Sequence, residues 1–133
     1  MILVDAGPLV ALLHRDDQDH TRCVAALKSV RTALATTWAP VTEAMYLLSF
    51  SPRAQGGLLD MVERGALGIL PLDHTDMPGV RVLMEKYRDR PMDFADATLV
   101  HAGHREGIYD VFTLDREHFS TYRIGRRGFT MIP

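Results

Sequence analysis

Ile2-Leu3-Val4-Asp5-Ala6-Gly7-Pro8-Leu9-Val10-Ala11-Leu12-Leu13 is the stretch on which the reading of this chain turns. Met1 to Val4 is a short, continuous apolar run, the pattern of a strand buried on both faces. Asp5-Ala6-Gly7-Pro8 breaks it, and Pro8 is well placed to open a helix through Leu13. The same strand, break and helix recur along the chain. Ala33 to Thr37 reads as a second strand, with a helix from Pro40 to about Phe50 that carries Glu43 in its first turn. Leu67 to Leu72 is a third strand, followed by a helix from Asp76 to Arg88 with Asp73 or Thr75 near its start. After a loop at Arg90-Pro91-Met92, Asp93 caps or opens a helix to about Arg105. Asp110 to Leu114 is a fourth strand.

Working outward, Asp17 or Asp19 can cap a helix whose apolar positions Cys23, Ala26, Leu27 and Val30 have helical spacing. Ser51-Pro52 opens a further helix, Arg53 to Arg64, weakened by Gly56-Gly57. Arg116 to Tyr122 is a short turn or helix, and Gly128 to Ile132 an edge strand. This rhythm predicts an α/β fold with a mainly parallel sheet, and no repeat or linker divides residues 1–133 into more than one domain.

Bulk properties bound the function. The 133 residues are 47% hydrophobic and 24% charged, with a net charge of −2, so the chain is not a polycation built to coat nucleic acid. Arginines grouped around a site remain compatible with binding it. The single cysteine, Cys23, excludes an internal disulfide and fits a reducing cytoplasm. The apolar start lacks a basic leader, is interrupted by Asp5 and Pro8, and ends in the charged run His14 to Asp17, unlike a secretion signal. No segment reaches the roughly 18 apolar residues that a membrane span needs. A cytoplasmic protein is expected.

Asp5, Glu43, Asp96 and Asp115 are the residues that carry chemistry. Each follows a predicted strand or lies near the start of a helix, and the carboxyl ends of parallel strands share the edge where ligands bind. Four carboxylates from distant parts of the chain then converge. Two unit charges about 4 Å apart repel by roughly 4 kcal/mol at an effective dielectric near 20. A hard divalent cation removes that repulsion, and oxygen-only ligands select magnesium or manganese over zinc. Asp93 lies three residues before Asp96 and is its helical neighbour. Thr113 and Asp115 are two apart, on one side of an extended chain.

The blocks 2–13, Pro40-Val41-Thr42-Glu43-Ala44-Met45-Tyr46-Leu47-Leu48, Met92-Asp93-Phe94-Ala95-Asp96-Ala97 and Phe112-Thr113-Leu114-Asp115 resemble the PIN-domain family, most of all its small VapC-type ribonuclease toxins. The resemblance spans essentially the whole chain. It implies a three-layer α/β/α sandwich acting as an endoribonuclease that uses Mg2+ or Mn2+ and leaves a 5′-phosphate and a 3′-hydroxyl. The matching site residues are Asp5, Glu43, Asp96 and Asp115, as both metal ligands and catalytic residues. Asp93, a frequent additional acid in the family, is either an outer-shell acid or a helix cap, and Thr113 is an outer-shell or phosphate contact or only a strand residue. It also implies an RNA substrate, a cognate antitoxin and a homodimer. Gly7 departs from the pattern, since many relatives carry Ser, Thr or Asn there.

Other residues invite other readings. His101 and His104 have helical spacing, but His104 lies about 12 Å along the axis from Asp96 and His101 is rotated roughly 140° from it, so neither is expected at the site. Arg123, Arg126 and Arg127 form either a solvated surface or a phosphate-contacting RNA rim. Trp38 and Phe94 read as core or site-wall aromatics rather than base-stacking platforms. Met45, Tyr46, Leu48, Phe50, Leu58, Leu59 and Met61 offer more apolar surface than one core needs; core packing is the default reading, and a subunit or antitoxin interface the alternative. Two competing functions are a non-catalytic PIN-like binding module and an Asp-dependent phosphatase or phosphotransferase. Against the latter stands Gly7, where haloacid-dehalogenase-like sites carry a second Asp.

Overall fold

A central parallel sheet organises the chain in the computed structural model, which describes residues 1–90 and 92–133. Elements run in the order β1 (Ile2–Val4), α1 (Ala6–Leu13), α2 (His20–Ser29), β2 (Leu34–Thr36), α3 (Trp38–Leu47), α4 (Pro52–Glu63) and β3 (Leu67–Ile69). A 3₁₀ turn at His74–Asp76 leads into α5 (Met77–Lys86), α6 (Phe94–Glu106), β4 (Asp110–Phe112) and α7 (Arg116–Phe119). The chain closes with β5 (Arg123–Ile124), β6 (Arg127–Gly128) and β7 (Thr130–Ile132). The sheet order is β3-β2-β1-β4-β7, every pair parallel. β5 and β6 form a separate antiparallel hairpin turned at Gly125, whose positive φ of 61° suits glycine.

Alternation along the strands divides the interior into two layers. Ile2, Val4 and Phe112 face one side, where they pack with Leu9 of α1, Cys23 of α2, Ala44 of α3 and Leu58 of α4. Leu3 and Val111 face the other, against Val80 of α5, Leu99 and Val100 of α6, Phe119 and Tyr122. Helices therefore cover both faces of the sheet, giving an α/β/α arrangement.

Several boundaries depart from the sequence reading. α3 begins at Trp38 rather than Pro40, because Thr37 is already extended at φ −118° and ψ 172°. Pro40 is accommodated in the first turn, where the missing N–H has no intrahelical acceptor. Glu43 consequently sits in the second turn of α3, not the first. The edge strand is Thr130–Ile132, and the hairpin before it has no counterpart in the reading. Trp38 and Phe94 are exposed, which removes the core alternative and leaves the site wall, whereas Leu48 and Leu58 are fully buried, in keeping with the default reading of core packing. Of the expected loop 90–92, Pro91 lies outside the described residues. Among the described residues, no helix is long and apolar enough to cross a membrane.

Gly103 shows how tightly α6 lies on the sheet. A Cβ there would meet the Ile108 carbonyl oxygen and Leu3 Cδ1 at 3.0 Å, and Ile124 Cδ1 at 3.3 Å. The carbonyl is backbone and cannot swing away. Gly103→Val is expected to destabilise the protein by about 2–3 kcal/mol through overpacking, measured by urea unfolding. Unchanged stability would show that α6 can move off the sheet.

Candidate active site

Asp5 directly follows β1, and its backbone still belongs to the sheet: its N–H donates to the Phe112 carbonyl at 3.0 Å. Its side chain caps α1, with Oδ1 accepting from the Ala6 N–H at 2.8 Å. Thr113 Oγ1 donates to Oδ2 at 2.9 Å. Both oxygens of a buried carboxyl are thus hydrogen-bonded. Asp96 lies in the first turn of α6, whose N-cap Asp93 accepts from the Asp96 N–H at 2.7 Å. The phenol of Tyr122, itself buried, donates to Asp96 Oδ2 at 2.8 Å. Asp115 caps α7, accepting from the His118 N–H at 3.1 Å, and the same side chain accepts from His118 Nδ1 at 2.9 Å. The Asp115 N–H donates to Thr113 Oγ1 at 3.0 Å, so Thr113 ties Asp5 to Asp115.

Asp5, Glu43, Asp93, Asp96 and Asp115 line one cleft of about 420 Å³, with Ala6, Gly7 and Leu114 completing it. All four expected carboxylates are therefore brought to the carboxyl edge of the sheet. They do not form a tight cage: among the described residues, no three His, Cys, Asp or Glu side chains converge closely enough to hold a metal ion as they stand. Asp5, Asp96 and Asp115 are instead engaged by donors from Ala6, Thr113, Tyr122 and His118. The donor set still fits a hard cation, because magnesium retains several waters and needs only a few carboxylates.

Burial and crowding perturb the acids. Asp5 is raised to about 6, chiefly by desolvation, with Glu43 and Asp93 adding repulsion against the Ala6 and Thr113 bonds. Asp96 is raised to about 7 by desolvation and by Asp5 and Asp93, the Tyr122 bond opposing. Glu43 is raised by desolvation and then by Asp93. His118 is raised mainly by its bond to Asp115. Groups held near neutrality by desolvation and like charge mark a site that lacks positive charge.

Other sequence-selected residues lie elsewhere. His101 Nε2 pairs with Asp76 at 2.8 Å, and Arg105 joins the same carboxylate at 3.2 Å, tying α6 to the 3₁₀ turn. Arg123, Arg126 and Arg127 sit on or beside the β5–β6 hairpin and do not line the cleft. The Arg127 guanidinium lies 3.8 Å from the Tyr109 ring centroid, at the amino end of β4 and so at the opposite end of the sheet from Asp115. Tyr122 and His118 were missed. Their only signal was proximity to Asp115 in a segment read as a turn, and their partners could not be known without the fold.

Comparison with known proteins accords with this geometry. No family model matches the chain. Ribonuclease VapC26 of Mycobacterium tuberculosis is 28% identical over 135 aligned positions, which cover 99% of this chain and 100% of that protein. The crystal structure of Mycobacterium tuberculosis VapC20, a Sarcin-Ricin loop cleaving toxin, covers 93% of this chain and 98% of its own with a TM-score of 0.82 at 16% identity. That second likeness is one of fold.

The raised carboxyls set the pH dependence of stability. Asp5 and Asp96 have folded-state values above the ordinary 3.8, so between pH 4 and 7 the folded protein binds more protons than the unfolded chain. Their contribution is complete below about pH 4 and is lost as pH rises through about 6 and 7. His118, raised above 6.5, acts in the same direction at the upper end. Asp76, lowered to about 2, changes only below this window. In chelator, the melting temperature is expected to fall from pH 4 to pH 7, and Asp96→Asn should flatten that fall. A melting temperature that rises over the window would contradict the crowded-carboxyl description.

Proposed function

We propose that this chain, which belongs to the PIN-domain family and to its VapC-type members, is a metal-dependent endoribonuclease and the toxin of a toxin–antitoxin pair. The observation that carries the metal-dependent reading is the cleft itself: four carboxylates gathered from β1, α3, α6 and the end of β4, two of them pushed to about 6 and 7. Such a cluster is stable in its ionised form only with a cation. Asp5 and Asp96 would hold Mg2+ or Mn2+, with Glu43 and Asp115 binding directly or through water. The bound ion would supply phosphodiester polarisation and a water of lowered pKa.

The chain's own residues prepare that chemistry. Ala6 and Thr113 fix the rotamer of Asp5, and Tyr122 holds Asp96 through Oδ2. Thr113 acts on the carboxylates rather than on a phosphate. Asp93 accepts from the Asp96 N–H and adds negative charge at the cleft wall. His118 holds a proton against Asp115.

Partners follow from the surface. Tyr46, Leu47, Phe50 and Leu59 remain exposed on α3, α4 and the turn between them, once Leu48 and Leu58 are assigned to the core. We assign this patch to a homodimer contact in the cytoplasm, with a cognate antitoxin also bound to the protein. Leu59→Glu or Tyr46→Glu should shift sedimentation from dimer to monomer. A dimer unaffected by both would place the contact elsewhere.

Asp5→Asn and Asp96→Asn nearly preserve volume and remove a charged ligand. Either is expected to reduce cleavage of mixed RNA at least a hundredfold while leaving the fold intact, with EDTA abolishing wild-type cleavage and Zn2+ failing to restore it. Chelated wild-type protein that cleaves at an undiminished rate would overturn the reading.

A further inference from the structure

Two large aromatics stand exposed beside the carboxylate cleft, and the proposed ribonuclease does not yet use them. Trp38 is 59% exposed and Phe94 50%. Both line a single groove of about 300 Å³, together with Ala39, Leu70, Leu72, Met77, Thr98 and the polar edge Asp73 and His74. Its place in the fold is fixed by topology. Trp38 opens the helix that follows β2, Leu70 and Leu72 follow β3, and Phe94 opens α6. These are carboxyl ends of parallel strands and the start of the helix that bears Asp96, so groove and cleft share the same sheet edge.

The first turn of α6 separates the two. Phe94 and Thr98 are four apart and share one helical face, that of the groove. Asp96, two residues from Phe94, is rotated by roughly 200° and lines the cleft. The ridge between them is one helix wide, so a strand whose phosphate lies in the cleft reaches the groove with a neighbouring nucleotide.

Charge decides what such a groove accepts. Among the described residues, neither the cleft nor the groove is lined by Lys or Arg. Phosphate attraction is therefore weak inside groove and cleft, although Arg81 and Arg88 lie beyond Phe94, and a strand seated in the groove gains affinity there from a contact that does not depend on charge. Stacking of unpaired bases on aromatic side chains is such a contact, and it tolerates every base because each has a π face. A base also brings a polar edge, which Asp73 and His74 at the groove's rim can meet.

Resting on the ribonuclease reading above, we propose that the Trp38–Phe94 groove is a nucleobase subsite that stacks an unpaired base of the RNA next to the scissile phosphate. From sequence the two aromatics read as core or site-wall rather than base-stacking; here they remain at the site wall and take the stacking role. Trp38→Ala or Phe94→Ala should weaken RNA binding by roughly tenfold, with smaller loss on Trp38→Phe, which keeps a ring.

Trp38 is the chain's single tryptophan, which makes the subsite directly observable. Full-length Asp5→Asn protein, unable to cleave, is titrated with a short unstructured mixed-sequence RNA, and tryptophan emission is followed. In parallel, an abasic ribose-phosphate oligomer of equal charge is added. The expected result is saturable quenching by RNA that persists at raised salt, no quenching by the abasic oligomer, and loss of the quench in the Phe94→Ala background at the same RNA concentration. RNA binding, seen by anisotropy of labelled RNA, without any change in Trp38 emission overturns the subsite and leaves the ribonuclease reading standing. Equal quenching by the abasic oligomer overturns it also, as does emission that changes with protein concentration alone, which would make the groove a contact between copies. Failure to bind RNA, together with failure of the wild type to cleave it, overturns both.

Discussion

Parallel pairing of β1 with both β2 and β4 is the constraint on which the rest depends. It places the carboxyl ends of three strands from widely separated parts of the chain at one edge, and the acids follow from there. The tie is tightest at Asp5, whose N–H continues the ladder to Phe112 and whose carboxyl is held by Thr113, the residue directly after Phe112. Residues 5 and 113 are fixed to one another by backbone and side chain together. Neither the cap of α1 nor the position of Asp115 can shift without breaking one of these bonds.

What the fold gains from that arrangement it loses in electrostatics. Asp5 and Asp96 are each buried, each within repulsive reach of other acids, and each hydrogen-bonded on one or both oxygens. Hydrogen bonds from neutral donors moderate the repulsion without cancelling it, which is why both carboxyls remain well above the usual range. Stability and function pull in opposite directions here. A neutral core at the same place would be more stable and would have no affinity for a cation.

Much of this was legible in the order of residues because it rests on short patterns. A four-residue apolar run ending in Asp, and an Asp three residues before another at a helix start, each have one ready structural meaning. The parts that were not legible depend on partners far away in sequence. Tyr122 has no local feature that marks its phenol as a donor to a carboxyl 26 residues earlier. Pro40 looks like a helix start and so puts Glu43 one turn too early, whereas the helix opens at Trp38, directly after the extended Thr37. For Trp38 and Phe94 the sequence leaves core and site wall open, because large aromatics usually pack inside; both are exposed at helix starts on the sheet edge, which only the fold shows.

The distribution of charge connects these observations. The chain's net charge of −2 conceals a local excess of acid, with five carboxylates lining the cleft and Arg123, Arg126 and Arg127 carried on or beside a hairpin away from it. Arg127 is further committed to the face of Tyr109, at the far end of β4. A strand of RNA lying in the cleft would meet five acids and, among the described residues, no lining Lys or Arg. Under the proposed function, a bound divalent cation converts the cleft from repelling phosphate to attracting it. Affinity and catalysis would then share one origin: loss of the metal removes the attraction for the scissile phosphate as well as the chemistry. Base stacking on Trp38 and Phe94 would remain, since it involves no net charge, so metal-free protein would hold RNA by its bases while leaving the phosphate out of register.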